Sequence, residues 1–272
     1  MTIKDTIRKY TNELKLVTHI PAKEVEILML HLLEKNTIWL HLNYNVEFEK
    51  EKELAILVKK RATNYPLEYI INKASFYGEM FIVKEGVLIP RPETEILVEN
   101  AIEILKDKKE IKVLEIGTGS GIISVMLAML IENIKIIAVD INEKALDLAK
   151  QNAIKHGVEN KIEFRLSNLY ENVQENDIFM TISNPPYIAN NYILPTNVKY
   201  EPSNALFGGV VGDELLKDII KATSEKKIPY LLCEMGYDQK APLENYFKEF
   251  NVESYSFYKD YESFDRGFTL KF

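Results

Sequence analysis

The tetrapeptide Asn184-Pro185-Pro186-Tyr187 follows the apolar run Ile178-Phe179-Met180-Thr181-Ile182 after a single serine. An asparagine and a rigid turn at the end of a buried strand can grip a planar NH2 group, either a side-chain amide or the exocyclic amine of a base. An amide nitrogen is a poor nucleophile because its lone pair is delocalised. Oδ1 of Asn184 and a backbone carbonyl of the Pro185-Pro186 turn could accept its two N–H bonds. That would align the nitrogen with an electrophile and stabilise the positive character developing on it, without prior removal of a proton. Tyr187 is expected to pack over the planar group and exclude water.

A second cluster supplies the electrophile. Glu115-Ile116-Gly117-Thr118-Gly119-Ser120-Gly121 leaves one apolar segment and opens the next. Alternate glycines there let the backbone turn sharply and let a ligand approach closely. A dinucleotide fingerprint would place a glycine at residue 122, which is Ile122, and no Lys-Ser/Thr pair closes a phosphate loop. Glu115 would repel a pyrophosphate but tolerates a zwitterion carrying an ammonium group. Asp140 ends Ile136-Ile137-Ala138-Val139, where a carboxylate can accept hydrogen bonds from ribose hydroxyls; the alternative is an N-cap for the helix that Ile141-Asn142-Glu143 starts. Ser167-Asn168-Leu169 ends a third segment, with Asn168 a candidate for an adenine amino group. Together these residues favour S-adenosylmethionine over a nicotinamide dinucleotide, and an N-methyl transfer at Asn184.

The surrounding pattern supplies the frame. Residues 1 to about 75 read as helical, with Pro21 in a first helical turn. Phe76-Tyr77-Gly78 and Phe81-Ile82-Val83 read as strands of a hairpin, followed by a loop stiffened by Pro90 and Pro92. Strands are expected at 112–116, 135–139, 162–166, 178–182 and 230–234, with helices at 94–105, 120–130, 143–155, 213–223 and 242–250. Continuously apolar strands imply a sheet covered on both faces, hence an α/β fold with a mainly parallel sheet. Glu253–Tyr258 and Phe268–Phe272 read as an antiparallel terminal hairpin around an Asp265-Arg266-Gly267 turn.

Composition narrows the function classes. The 272 residues carry 34 Lys and Arg against 41 Asp and Glu, a net charge of −7. That balance disfavours direct binding along a nucleic-acid backbone. One cysteine, Cys233, excludes an intrachain disulfide and a cysteine metal cluster, and the four histidines form no HExxH pattern. No metal is expected. There is no signal-peptide-like start and no membrane-length apolar window, so a cytoplasmic location is expected.

Taken together, the motifs resemble those of the release-factor glutamine methyltransferases. Arg61, Pro66, Tyr69, Ile70 and Phe76 resemble the linker signature of that family, and Leu88-Ile89-Pro90-Arg91-Pro92-Glu93-Thr94-Glu95 is similar to its most distinctive segment. The glycine loop, Asp140 and the Asn184–Tyr187 box follow in the expected order. Glu201-Pro202, Ala205-Leu206, Gly208-Gly209, Glu234, Gly236, Gln239, Asp260 and Arg266 complete the match. Two positions depart from it: Asn168, where the family usually has aspartate, and Asn64, where glycine is common.

The resemblance implies a class I S-adenosylmethionine-dependent methyltransferase fold with a mainly parallel seven-stranded sheet. It implies a helical substrate-docking domain at 1–75, a β-hairpin linker at 76–92 and the methyltransferase domain at 93–272. The acceptor would be the glutamine of the Gly-Gly-Gln loop in class 1 peptide chain release factors. Glu115, Gly117, Thr118, Gly119, Gly121, Asp140, Ile141, Asn168, Leu169 and Asn184 would face the cofactor. Pro90 and Arg91 would order the glutamine entrance beside Asn184, Pro185, Pro186 and Tyr187; a salt bridge fastening the linker is the other reading of Arg91. Two alternatives stand beside this one. The same box can hold an extruded adenine, as in an adenine-N6 methyltransferase acting on DNA or RNA, and a catalytically silent protein-binding module would use the N-terminal helices alone.

Overall fold

The computed structural model describes residues 1–272 and divides into two compact units, residues 1–73 with 194–200, and residues 74–193 with 201–272. The first unit contains α1 (Ile3–Leu14), α2 (Pro21–Leu33), α3 (Thr37–Leu42), α4 (Glu51–Ala62) and α5 (Leu67–Ile71). Thr2 caps α1 by accepting the amide of Asp5 at 3.1 Å, and Pro21 sits in the first turn of α2. Ile3, Ile7, Tyr10 and Leu14 form the buried stripe of α1, as helical spacing requires. Arg61 on α4 reaches Glu24 on α2 through two bonds of 2.6 and 3.1 Å, both side chains buried. Asn64 has a φ of +66°, a left-handed backbone that glycine and asparagine adopt most readily.

The second unit opens with a hairpin whose strands are β1 (Lys73–Phe76) and β2 (Glu79–Ile82). Tyr77 and Gly78 are its turn, with φ of +53° and +78°. The sequence reading placed both in a strand because Phe-Tyr favours extended backbone. A two-residue turn of type I′ needs left-handed backbone at both central positions, and that requirement prevails.

From there the order is α6 (Thr94–Leu105), β3 (Ile111–Ile116), α7 (Ile122–Leu130), β4 (Ile134–Asp140), α8 (Glu143–Lys155), β5 (Ile162–Leu166), β6 (Met180–Ser183), β7 (Ile188–Ala189), β8 (Phe207–Gly209), α9 (Glu214–Glu225), β9 (Tyr230–Glu234), α10 (Lys240–Phe247), β10 (Ser254–Lys259) and β11 (Asp265–Lys271). Seven strands form one sheet in the order β10-β11-β9-β6-β3-β4-β5. The five strands from β9 to β5 run parallel, whereas β11 pairs antiparallel with β9 and β10 with β11. Successive strand residues feed two cores. Val113, Ile136 and Ile182 pack with Leu97, Ala101 and Leu127 of α6 and α7, while Leu114, Ile137 and Cys233 pack with Ile219 and Leu243 of α9 and α10. Burial on both faces is why these strands read as unbroken apolar runs.

The terminal hairpin differs from expectation at its turn. Asp265, Arg266 and Gly267 lie inside β11, and the turn comes earlier, after Asp260. The Asp260 carboxylate accepts the amides of Glu262 and Phe264 at 3.0 and 2.9 Å and pairs with Arg266 at 2.7 Å. One side chain thus organises a loop whose composition alone points three residues further on. No helix is long and apolar enough to cross a membrane.

Candidate active site

The chain leaves β3 towards β4 and β5 on one side, then returns to place β6 on the other. Such a reversal opens a crevice at the carboxyl ends of the strands. Glu115, Asp140, Asn168 and Asn184 all stand at those ends, and all four line one cavity of about 1030 Å³ counting its open mouth.

The glycine loop is pinned to the end of β4. The amides of Gly117 and Thr118 both donate to the carbonyl of Val139, at 2.9 and 3.0 Å. The Gly119 amide donates to Asp140 Oδ2 at 2.9 Å, and the Asn142 amide to Oδ1 at 2.9 Å. Asp140 does not cap α8; Asn142 does, accepting from the Lys144 amide at 3.0 Å. Burial raises the Asp140 pKa against these backbone donors. Gly117, Thr118, Gly119 and Ile141 line the cavity, but Gly121 does not. At Gly121 φ is +82°, and a Cβ would lie 2.9 Å from that of Ala149, so this glycine lets α7 approach α8.

Glu115 is the most unusual group in the cavity. It is buried, and one oxygen, Oε2, accepts from Thr118 Oγ1 at 2.8 Å, from the Ser124 amide at 3.2 Å and from the Ser124 hydroxyl. The other oxygen, Oε1, is buried without a partner. Desolvation pushes the carboxyl pKa up to about 7 despite those donors.

Around Asn184 the side chains form a continuous chain of hydrogen bonds. Its Nδ2 donates to Thr94 Oγ1 at 2.9 Å, and Thr94 Oγ1 donates to Glu234 Oε2 at 2.7 Å. The Tyr187 hydroxyl donates to Glu234 Oε1 at 3.0 Å. Thr94 and Glu234 are buried, and burial raises the Glu234 pKa. Gln239 donates from Nε2 to the Tyr187 carbonyl at 2.9 Å and accepts the Gly236 amide at 2.8 Å. A Cβ on Gly208 would stand 2.4 Å from the Pro186 carbonyl oxygen, so β8 can support the turn only through glycine.

Pro186 lines the cavity, whereas Pro185 and Tyr187 do not. Pro185 is buried behind the turn. Tyr187 packs with the core beneath α9 and α10, its hydroxyl engaged by Glu234, so the structure aims it away from the cavity it was expected to roof.

The segment Leu88-Ile89-Pro90-Arg91 lines the same cavity. Buried Glu201 holds it, accepting the Ile89 amide at 3.0 Å and pairing with Arg91 at 2.5 Å. Asn168 and Leu169 border the mouth, and Asn168 Nδ2 donates to Glu171 at 2.9 Å. Sequence reasoning gave no role to Thr94, Glu201 or Glu234. Their partners lie between 90 and 140 residues away along the chain, so local spacing carried no trace of the contacts.

The chain matches two family descriptions: "PrmC N-terminal domain" over residues 5–71 and "Methyltransferase small domain" over 93–198. It is 34% identical to the release factor glutamine methyltransferase of Aquifex aeolicus over 97% of this chain and 93% of that one. With the Fusobacterium nucleatum protein of the same name the identity is 36% over 92% and 73%. This chain belongs to the release factor glutamine methyltransferases. It is therefore an S-adenosylmethionine-dependent methyltransferase, and the runner-up readings are not favoured. Among solved structures, the hMettl16 catalytic domain in complex with an RNA hairpin superposes with a TM-score of 0.56 at 16% identity, covering 69% of this chain and 73% of that one, which shows the shared fold.

The residues present fit the cofactor. A zwitterionic amino acid moiety brings an ammonium group, and Glu115 Oε1 is a buried acceptor in the cavity that lacks a donor. Ile141 is well exposed beside Asp140, an apolar surface at the mouth that suits a planar base.

Proposed function

We propose that this enzyme methylates the side-chain amide nitrogen, N5, of the glutamine in the Gly-Gly-Gln loop of class 1 peptide chain release factors. One observation carries the reading. Asn184 opens onto the cavity that also holds the glycine loop and Asp140, and its Nδ2 is already engaged by Thr94. Oδ1 therefore remains to accept an N–H from the substrate amide. A backbone carbonyl of the Pro185-Pro186 turn is the second acceptor. Two acceptors hold the glutamine nitrogen in line and stabilise its growing positive charge.

S-adenosylmethionine supplies an electrophilic methyl carbon on a sulfonium and leaves as S-adenosylhomocysteine. In this reading Glu115 pairs with its ammonium group, Asp140 accepts from the ribose hydroxyls, and the backbone of Gly117, Thr118 and Gly119 borders the ligand. Gly121 acts through the packing of the loop. Ile141 and Leu169 flank the adenine, and Asn168 keeps Oδ1 for its amino group because its nitrogen is bonded to Glu171. Tyr187 serves by anchoring the turn. Pro90 and Arg91 shape the glutamine entrance, with Arg91 held by Glu201. No role is assigned to a metal.

Residues 1–75 are assigned to docking the release factor, 76–92 to the linker and 93–272 to transfer. The reaction is assigned to the cytoplasm. Mass mapping tests the function directly: purified enzyme, labelled S-adenosylmethionine and a full-length release factor should give one labelled glutamine in the Gly-Gly-Gln loop. Label in parallel DNA or RNA samples with an untouched release factor would overturn the proposal.

A further inference from the structure

The carboxamide of Asn184 has two ends of nearly the same shape and opposite polarity, so packing alone does not decide which end meets the substrate. We propose that Glu234, acting through Thr94, is the positioning residue that fixes Oδ1 of Asn184 towards the cavity. The inference rests on the reading that Asn184 accepts the substrate amide.

Thr94 Oγ1 has one proton and lies between Glu234 Oε2 at 2.7 Å and Asn184 at 2.9 Å. An ionised carboxylate only accepts hydrogen bonds. With Glu234 ionised, the threonine proton points to it, and towards Asn184 the hydroxyl can only accept. Asn184 has to present its NH2 there, which turns Oδ1 outward. Tyr187 donates to the other carboxylate oxygen at 3.0 Å, so both oxygens of Glu234 are held as acceptors. A reversed chain would direct an NH2 group at the substrate NH2, removing an acceptor and adding a repelling donor.

Glu234 and Thr94 are buried, so water does not substitute for either link. Burial raises the Glu234 pKa; the Thr94 and Tyr187 hydroxyls and Arg266 favour its ionised form, and Glu93 opposes it. Tyr187, Tyr258 and Cys233 complete its titratable surroundings, and each is neutral at physiological pH, its pKa raised by burial.

The test uses the full chain in 15N-labelled form, with the Asn184 side-chain signals assigned by their loss in Asn184→Ala. In the wild type those NH2 protons should exchange slowly with solvent. Thr94→Val removes the accepting hydroxyl, and Glu234→Gln replaces the carboxylate by a group that can run the chain either way. Both variants should lose the protection. Under saturating substrates Thr94→Val should lower kcat by about 100-fold and Glu234→Gln by at least about tenfold. KM for the release factor and Kd for S-adenosylhomocysteine should stay within about threefold, since neither link touches the bulk of either ligand. Thr94→Ser keeps the hydroxyl and should restore both protection and kcat.

Unchanged protection and kcat in Glu234→Gln would overturn the proposal, as would loss of kcat and cofactor affinity together in both impaired variants. If Thr94→Val fails to fold, Glu234→Gln decides alone. If the wild type transfers no methyl group to glutamine, the functional reading fails while the exchange measurement still decides the orientation.

Discussion

At the scale of single residues, the cavity sets two carboxylates in different states. Asp140 has both oxygens engaged by backbone amides, whereas Glu115 keeps one oxygen bare and has its pKa raised from 4.5 to about 7. A carboxyl group with a raised pKa holds its proton more tightly folded than unfolded. Raising the pH from the unfolded value to the folded one therefore costs the ligand-free protein about 3 kcal/mol, after which the loss levels off. An ammonium at Oε1 reverses that preference. S-adenosylhomocysteine should bind more tightly as pH rises from about 6 to about 7, releasing up to one proton. Calorimetry in buffers of different ionisation enthalpy reads that proton, and Glu115→Gln should abolish the buffer dependence. A buffer-independent heat in the wild type would show that Glu115 is already ionised. Asn184 makes the opposite prediction. Asn184→Ala should abolish methyl transfer, measured by label incorporation, and leave the Kd for S-adenosylhomocysteine within about threefold, because its contribution is to orienting the acceptor. The sequence made Glu115, Asp140 and Asn184 visible because each stands at or beside the carboxyl end of a strand. The roles of Thr94 and Glu234 were hidden because each is the other's partner, 140 residues apart.

At the scale of elements, the glycine loop joins two separate demands. Gly117 has a φ of +70° with open space where a Cβ would go, while Gly121 has a φ of +82° and the wall of α8 against it. Gly117→Ala should cost about 1 kcal/mol of stability from backbone strain alone. Its larger effect should be on cofactor affinity, since the added methyl points into space left for the ligand. Gly121→Ala adds a clash to the same strain and should cost about 2–4 kcal/mol. Urea midpoints and calorimetric titration of the two variants separate these effects. Equal stability losses would show that α7 and α8 yield more than the contact suggests. The parallel strands were readable because both faces are buried, as Ile136-Ile137-Ala138-Val139 illustrates. The two hairpins were less so. Tyr77 looks like a strand residue and Asp265-Arg266-Gly267 like a turn. In each case a local geometric requirement, left-handed backbone in one and the Asp260 carboxylate in the other, outweighed composition.

At the scale of the molecule, the cavity is lined by residues of the second unit alone, and the sole tryptophan, Trp39, belongs to the first. S-adenosylhomocysteine at a hundred times its Kd stabilises what it binds by about 2.7 kcal/mol. Far-UV circular dichroism, which sees the helices and strands of both units, should therefore shift to higher urea, while Trp39 fluorescence, which sees the first unit alone, should move less. Coincident shifts would show that the two units unfold as one. The division between them was only partly legible, because residues 194–200 join the first unit from far along the chain. There Tyr200 donates to the Thr63 carbonyl at 3.1 Å and rests edge-on against Tyr65. Finally, Cys233 is buried in β9 between β6 and β11, with its thiol pKa raised by desolvation. A thiol so placed reacts only when the sheet opens, which makes it a clock wired to one event. The rate at which an excess of iodoacetamide consumes the single cysteine should fall in proportion to cofactor occupancy. One mass measurement on unlabelled protein would then count how often the sheet breathes, with no engineered probe.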